Sequence, residues 1–275
     1  MSVRVRLDLA YDGAGFHGWA AQTGQRTVQG ELEAALARII RRPAPVTVAG
    51  RTDAGVHALG QVAHLDLAVA EVARLAGRSD AGLAVEPLAR RLNAVLANDL
   101  RVIAATPVGE GFDARFSALW RRYRYRIADQ AFAHDPLERG RTWWTRPLDA
   151  AAMAASAPPL LGEHDFAAFC VPRQGASTVR ELMELEVQRI GPGRIDICVR
   201  ADAFCHHMVR FLTGALAAVG AGRQDPAWPA LVLASAHRPS QVQLAPAHGL
   251  TLEQVAYPPT DPLQAAQAHL SRRRR

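Results

Sequence analysis

Arg121-Arg122-Tyr123-Arg124-Tyr125-Arg126-Ile127 alternates with a period of two. Arg121, Tyr123, Tyr125 and Ile127 form one set of side chains, and Arg122, Arg124 and Arg126 form the other. Successive strand residues point to opposite sides of a sheet, so the stretch predicts a strand with one mostly aromatic face and one charged face. Val3, Val5, Leu7 and Leu9 alternate with Arg4, Arg6 and Asp8 in the same way. Strands that keep one polar face belong to antiparallel sheets more readily than to parallel sheets buried on both sides. Met183, Leu185 and Val187, then Ile195, Ile197 and Val199, flank Gly191-Pro192-Gly193 and predict a hairpin. Val46–Ala49 and the set Ala63, Leu65, Leu67 predict two further strands. Thr27 is placed to cap a helix with Val28, Leu32, Leu36, Ile39 and Ile40 on one face. Pro87 opens a second helix, and His206–Val219 reads as an apolar helix stopping near Gly220 and Gly222. The expected class is α+β, built on mainly antiparallel sheets. Thr106-Pro107-Val108-Gly109-Glu110-Gly111 reads as a linker.

The chain has 275 residues, 49% of them hydrophobic and 21% charged, enough to bury a core and too apolar for a disordered chain. All 32 basic residues are arginines, against 26 acidic ones, and the net charge is +6. Four of those arginines end the chain as Arg272–Arg275, so the net charge alone says little about a polyanionic partner. Arginine nevertheless suits phosphates and base edges better than lysine does. Three cysteines, Cys170, Cys198 and Cys205, form no CxxC and leave an odd thiol, so no disulfide framework is expected. The first residues are charged where a signal peptide needs an apolar run. The longest uncharged stretches, such as Phe211–Gly222, fall short of the roughly 20 residues that span a bilayer. A soluble, cytoplasmic protein with no membrane partner is the expectation.

Gly13-Ala14-Gly15-Phe16-His17-Gly18 fits GxGxxG after a strand, but the helix that would hold a pyrophosphate waits until Thr27. A glycine-rich turn is the better reading, and neither a nucleotide cofactor nor an oxidoreductase follows from it. Cys205-His206-His207 sends neighbouring side chains in diverging directions if it is helical, and no HExxH or paired-cysteine spacing occurs, so no metal site is expected. No serine-centred nucleophile elbow occurs either. Asp53 lies in a Gly50-Arg51-Thr52-Asp53-Ala54-Gly55 turn between two strands. It fits two roles: an Asx-turn residue bonding its own backbone, or a carboxylate nucleophile on a stiff scaffold. Arg210 interrupts an apolar helix, either snorkelling at its edge or buried against a carboxylate such as Asp53. From Phe112 to Arg126, five arginines interleave with five aromatic residues. That is either a solvated strand face or a nucleic-acid platform with arginines on phosphates and one ring on a base.

Together these clusters resemble the TruA family of tRNA pseudouridine synthases, from Tyr11 to about Tyr257. Tyr11-Asp12-Gly13 through Gly18-Trp19 is similar to its N-terminal signature, and Ala49–His57 to its Asp-bearing loop. Phe112–Ala118 with Arg121–Tyr125 resembles its central motif, Phe204–Arg210 a later one, and Pro246–Leu250 its last. The chain departs from the pattern at Ala20, at Asn93–Ala97 and around Cys170–Arg180. The resemblance implies isomerisation of uridine to pseudouridine in the anticodon stem-loop of tRNA, at positions 38–40, by a homodimer without a cofactor. It implies two α/β domains, 1–107 and 108–268, with a catalytic cleft between them and a basic tail at 269–275. Asp53 would be the nucleophile, Tyr123 would stack on the flipped base and could help remove its C5 proton, and Arg210 would pair with Asp53. Arg51 would hold the flipped nucleotide, and Phe112, Asp113, Ala114, Arg115 and Phe116 would contact tRNA. The alternative is a non-catalytic RNA-binding protein built on the arginine–aromatic stretch alone.

Overall fold

The computed structural model describes residues 2–76, 85–173 and 175–259. In chain order the elements are β1 (Ser2–Tyr11), α1 (Val28–Ile40), β2 (Thr47–Val48), β3 (His57–Ala68), α2 (Val69–Ala76), α3 (Glu86–Asn93), β4 (Leu100–Val108) and β5 (Trp120–Ala128). They continue with β6 (Trp143–Trp144), α4 (Ala150–Ala155), β7 (Gly162–Asp165), β8 (Val179–Gly191), β9 (Arg194–Ala201), α5 (Met208–Gly220), α6 (Trp228–Ser235) and β10 (Leu250–Ala256). Among the described residues the strands join one sheet in the order β4-β1-β3-β10-β5-β9-β8-β7, with β2 on β3 and β6 on β5. Most pairs are antiparallel; β10 with β3 and β6 with β5 are parallel. The α+β class therefore holds.

The alternation in β1 and β5 survives intact. Val3, Val5, Leu7, Leu9 and Tyr11 are buried on the same side as Tyr123, Tyr125 and Ile127. The register carries that side across the sheet, from Tyr11 to Ala58, Leu252, Tyr123, Val199 and Leu185. Helices α1, α2 and α3 contact one another or β1, β3 and β4, while α4, α5 and α6 contact one another or β8. Thr27 caps α1 as its sequence suggests, its Oγ1 accepting from the Gly30 amide at 3.2 Å. Leu32 and Leu36 on that helix are wholly buried, each contributing about 1.5–3 kcal/mol.

Three local readings change. Thr106, Pro107 and Val108 are not linker but the end of β4, paired with Arg6, Val5 and Arg4 of β1. Proline fits there because β4 is the sheet edge, where one side needs no amide donor. In β8 a register shift between Leu182 and Glu184 turns Leu182 inward in place of Met183. Cys170 and Cys205 are joined, their Cα atoms 5.8 Å apart, leaving Cys198 free and buried. The two backbones are laid side by side by a Val171 amide to His206 carbonyl bond of 3.0 Å, a juxtaposition no local spacing announces. The Arg272–Arg275 tail lies outside the described residues, and among the described helices none is long and apolar enough to cross a membrane.

Candidate active site

The loop between β2 and β3 is held from every side. Gln61, a polar residue on the buried face of β3, donates to the Gly50 carbonyl at 2.8 Å and to Tyr11 Oη at 3.1 Å. Tyr11 Oη shares a 2.8 Å hydrogen bond with Thr52 Oγ1. Burial pushes the Tyr11 phenol up to about 12, so it works as a neutral hydrogen-bonding group. The Trp19 amide donates to the Thr52 carbonyl at 3.0 Å, and the Gly55 amide to the Phe16 carbonyl at 3.3 Å. The GAGFHG stretch is thus a support for this loop and opens no helix beyond the single turn Gly13–Gly15. A Cβ on Gly13 would stand 2.1 Å from the Val56 carbonyl oxygen, so glycine is needed for close approach, not for a phosphate.

Asp53 emerges half-buried from this loop into a cavity of about 700 Å³, where Tyr123, Arg210 and Arg51 also line the wall. Asp53 Oδ2 lies 2.7 Å from His207 Nδ1 and 3.5 Å from Arg210 Nη1. Asp53 Oδ1 lies 3.5 Å from His206 Nε2. Arg210 Nε donates to the Ala245 carbonyl at 2.8 Å, which fixes the guanidinium. Tyr123 is buried against Phe204, ring edge to ring face with centroids 5.1 Å apart. Burial, then the nearby Tyr11 and Asp53, push its phenol far above the usual range.

A family model described as tRNA pseudouridine synthase matches residues 157–258. The tRNA pseudouridine synthase A of Frankia casuarinae is 57% identical over 98% of this chain and 94% of its own. The chain belongs to the tRNA pseudouridine synthase family. The enzymes of that name from Streptomyces griseus and Mycobacterium leprae are 53% and 50% identical, over 97% and 95% of this chain and 92% of each of theirs. Among solved structures, a chain of a Cbf5–Nop10–Gar1 complex matches at 11% identity and a TM-score of 0.30, over 77% of this chain and 54% of that one. A likeness that loose carries no argument.

In this pseudouridine synthase family member, the arginine–aromatic stretch divides between the two faces of the sheet. Arg122 pairs with Glu184, Arg124 with Asp196 and Glu253, and Arg126 bonds Thr251 on the face away from the cavity. Arg121 is buried and donates to the carbonyls of Ala49, Arg115 and Asp202 at 2.7–2.8 Å. It ties together three segments of the cavity wall. Of Phe112 to Phe116, Arg115 and Phe116 line the cavity and are exposed. Phe112, Asp113 and Ala114 build the loop instead. Asp113 Oδ1 accepts from the Arg115 and Phe116 amides, Ala114 is fully buried under His64, and Phe112 packs on Tyr257. Arg173 and Arg180 join the wall from the stretch whose sequence matches the family pattern poorly.

His206 and His207 contradict the expectation that they diverge. Both precede α5, and His207 adopts φ +67°, so the two rings stack with centroids 3.8 Å apart and meet Asp53 together. Asp53, His206 and His207 bring one ligand atom each within 4.8 Å of one another. The Arg210 guanidinium beside the same carboxylate opposes a further cation there.

Proposed function

We propose that this cavity isomerises uridine to pseudouridine in the anticodon stem-loop of tRNA, at positions 38–40, with Asp53 as the nucleophile. The observation that carries the reading is the convergence of Asp53, Tyr123 and Arg210 on one arginine-lined cavity. A stacked base hides its glycosidic bond, so the uridine must flip out, at a cost of a few kcal/mol. Exposed Arg51, Arg115 and Arg173 supply phosphate contacts that offset this cost. The C1′–N1 bond breaks while Asp53 attacks C1′ or removes the 2′ proton. The freed uracil turns and its C5 bonds to C1′, which displaces the Asp53 carboxylate on the first route and returns the proton to C2′ on the second; the C5 proton then leaves and N1 takes up a proton. Atoms and electrons balance without an oxidant or a second substrate. Tyr123 is read as the stacking partner: a phenol held so far from its ordinary range is a poor proton acceptor at neutral pH.

The two halves 1–107 and 108–268, a homodimeric assembly and a cytoplasmic site of action belong to the same reading. The test is mass-spectrometric mapping of pseudouridine in tRNA treated with the protein, with Asp53→Ala as control. Conversion at positions 38–40 that disappears in Asp53→Ala supports the proposal. Binding of tRNA without conversion overturns it in favour of a non-catalytic RNA-binding protein.

A further inference from the structure

The shortest contact to the Asp53 carboxylate comes from His207, not from Arg210. His207 Nδ1 lies 2.7 Å from Oδ2, whereas the Arg210 and His206 nitrogens both stand at 3.5 Å. A carboxylate only accepts, so the ring proton in this contact belongs to Nδ1. Arg210 Nη1 lies 3.3 Å from that nitrogen and therefore adds charge beside the contact without donating to it. The guanidinium is itself committed to the Ala245 carbonyl through Nε.

Two features show that the ring is held in this position. His207 has φ +67° immediately before α5, a left-handed conformation unfavourable for a residue with a side chain. Such strain persists where the surroundings over-determine the residue, and it concentrates at functional sites. The ring is also fixed from two sides, by the stacked His206 at 3.8 Å and by the edge of Phe211 at 6.1 Å. The consequence for Asp53 is asymmetric. Oδ2 is engaged by His207 and flanked by Arg210, while Oδ1 meets, among the described residues, only the more distant His206 nitrogen.

We infer that His207 is a positioning residue that grips Asp53 by Oδ2 and presents Oδ1 to the ribose. This rests on the reading of Asp53 as the reacting carboxylate. It gives the Phe204–Arg210 motif a second task beside that of Arg210: fixing which oxygen faces the substrate.

The experiment compares His207→Phe, His207→Asn and Asp53→Asn under single-turnover conditions with a tRNA substrate, with melting temperature and KM recorded for each. Phenylalanine keeps an aromatic ring and loses the donor. Asparagine keeps an N–H donor and tolerates the left-handed backbone. Misplacing a reacting group by about 1 Å costs on the order of 100-fold, so His207→Phe is expected to lower kcat by ~10–100-fold with KM little changed. His207→Asn is expected to recover most of that loss. A His207→Phe variant with wild-type kcat, beside an inactive Asp53→Asn, overturns the positioning role and leaves the Asp53 reading standing. An active Asp53→Asn removes the reading itself. A second measurement needs no folded phenylalanine variant: nitrogen-15 NMR of histidine-labelled wild-type protein. A protonated, downfield-shifted Nδ1 at His207 that changes in Asp53→Asn supports the inference. A His207 protonated on Nε2 alone overturns it.

Discussion

At the residue scale the decisive side chains are polar groups on buried faces, and their partners are distant in sequence. Arg121 reads as one more arginine of a charged strand, yet its fork reaches three carbonyls on three segments. A hydrogen bond to a charged group contributes about 1.5–3 kcal/mol, and the three share one guanidinium. Arg121→Met is therefore expected to lower the unfolding free energy by about 3 kcal/mol, read from denaturant melts, and to reduce turnover as the Asp53 loop loosens. Arg121→Lys should restore little, because an ammonium cannot reproduce the planar fork. A melt unchanged in Arg121→Met would show that these carbonyls find other donors. His64 has the analogous task for the loop bearing Arg115: its Nδ1 accepts from the Ala114 amide at 3.0 Å. Burial, then Arg4, lowers its pKa below 6.5 against the opposing pull of Asp113 and Asp66. The unfolded chain binds the proton more readily, so the contribution of His64 is complete above pH 6.5 and is lost as the pH falls below that value. Thermal melts between pH 7.5 and 5 should show a steeper acid loss for the wild type than for His64→Gln; parallel curves would contradict this. Asp53 and Arg210 were legible through their motifs. His207 was not, because a helix starting at His206 sends the two rings apart, and only a left-handed residue before α5 lets both meet the carboxylate.

At the element scale, period-two strands and the capped helix α1 were legible because each is governed by its own few residues. The edge strand β4, which ends in Thr106-Pro107-Val108, was not, since proline and glycine there also spell a linker and only pairing with β1 decides. The closure of the sheet was equally hidden. Strand β10 slips between β3 and β5, parallel to one and antiparallel to the other, nearly two hundred residues after β3. No local pattern encodes a pairing of that separation. Helix α5 meets the segment before β10 at Gly214, where a Cβ would lie 1.8 Å from the Gln243 carbonyl oxygen. The same segment carries Ala245, whose carbonyl fixes Arg210 and whose amide donates to the Arg210 carbonyl at 3.2 Å. Gly214→Ala must displace backbone, not a flexible side-chain end. Overpacking of this kind costs about 1–3 kcal/mol, although alanine is the better helix former. The expected result is a lower melting temperature together with a lower kcat, because the displaced carbonyl is the anchor of Arg210. A more stable, fully active variant would show that the segment gives way freely.

At the scale of the whole molecule, net charge is a poor guide and its distribution is a good one. The sheet separates two populations of arginine. On the face away from the cavity, Arg4, Arg122, Arg124 and Arg200 are neutralised by Asp66, Glu184, Asp196 and Glu253. Around the cavity, Arg51, Arg115 and Arg173 stand exposed, and no acidic side chain pairs with them among the described residues. Only arginines free of local partners release counterions when a phosphate arrives. Each phosphate contact contributes roughly 0.7–0.9 to the slope of log affinity against log salt. If the cavity face is where tRNA lies, replacing Arg51, Arg115 and Arg173 together by glutamine should reduce that slope by about 2, measured by filter binding across a salt series. Replacing Arg122 and Arg124 by glutamine should leave the slope unchanged and lower stability instead, because Asp196 loses its arginine and Glu184 and Glu253 each lose one of theirs. The reverse pattern, a slope that follows Arg122 and Arg124, would place the RNA on the other face of the sheet, away from Asp53.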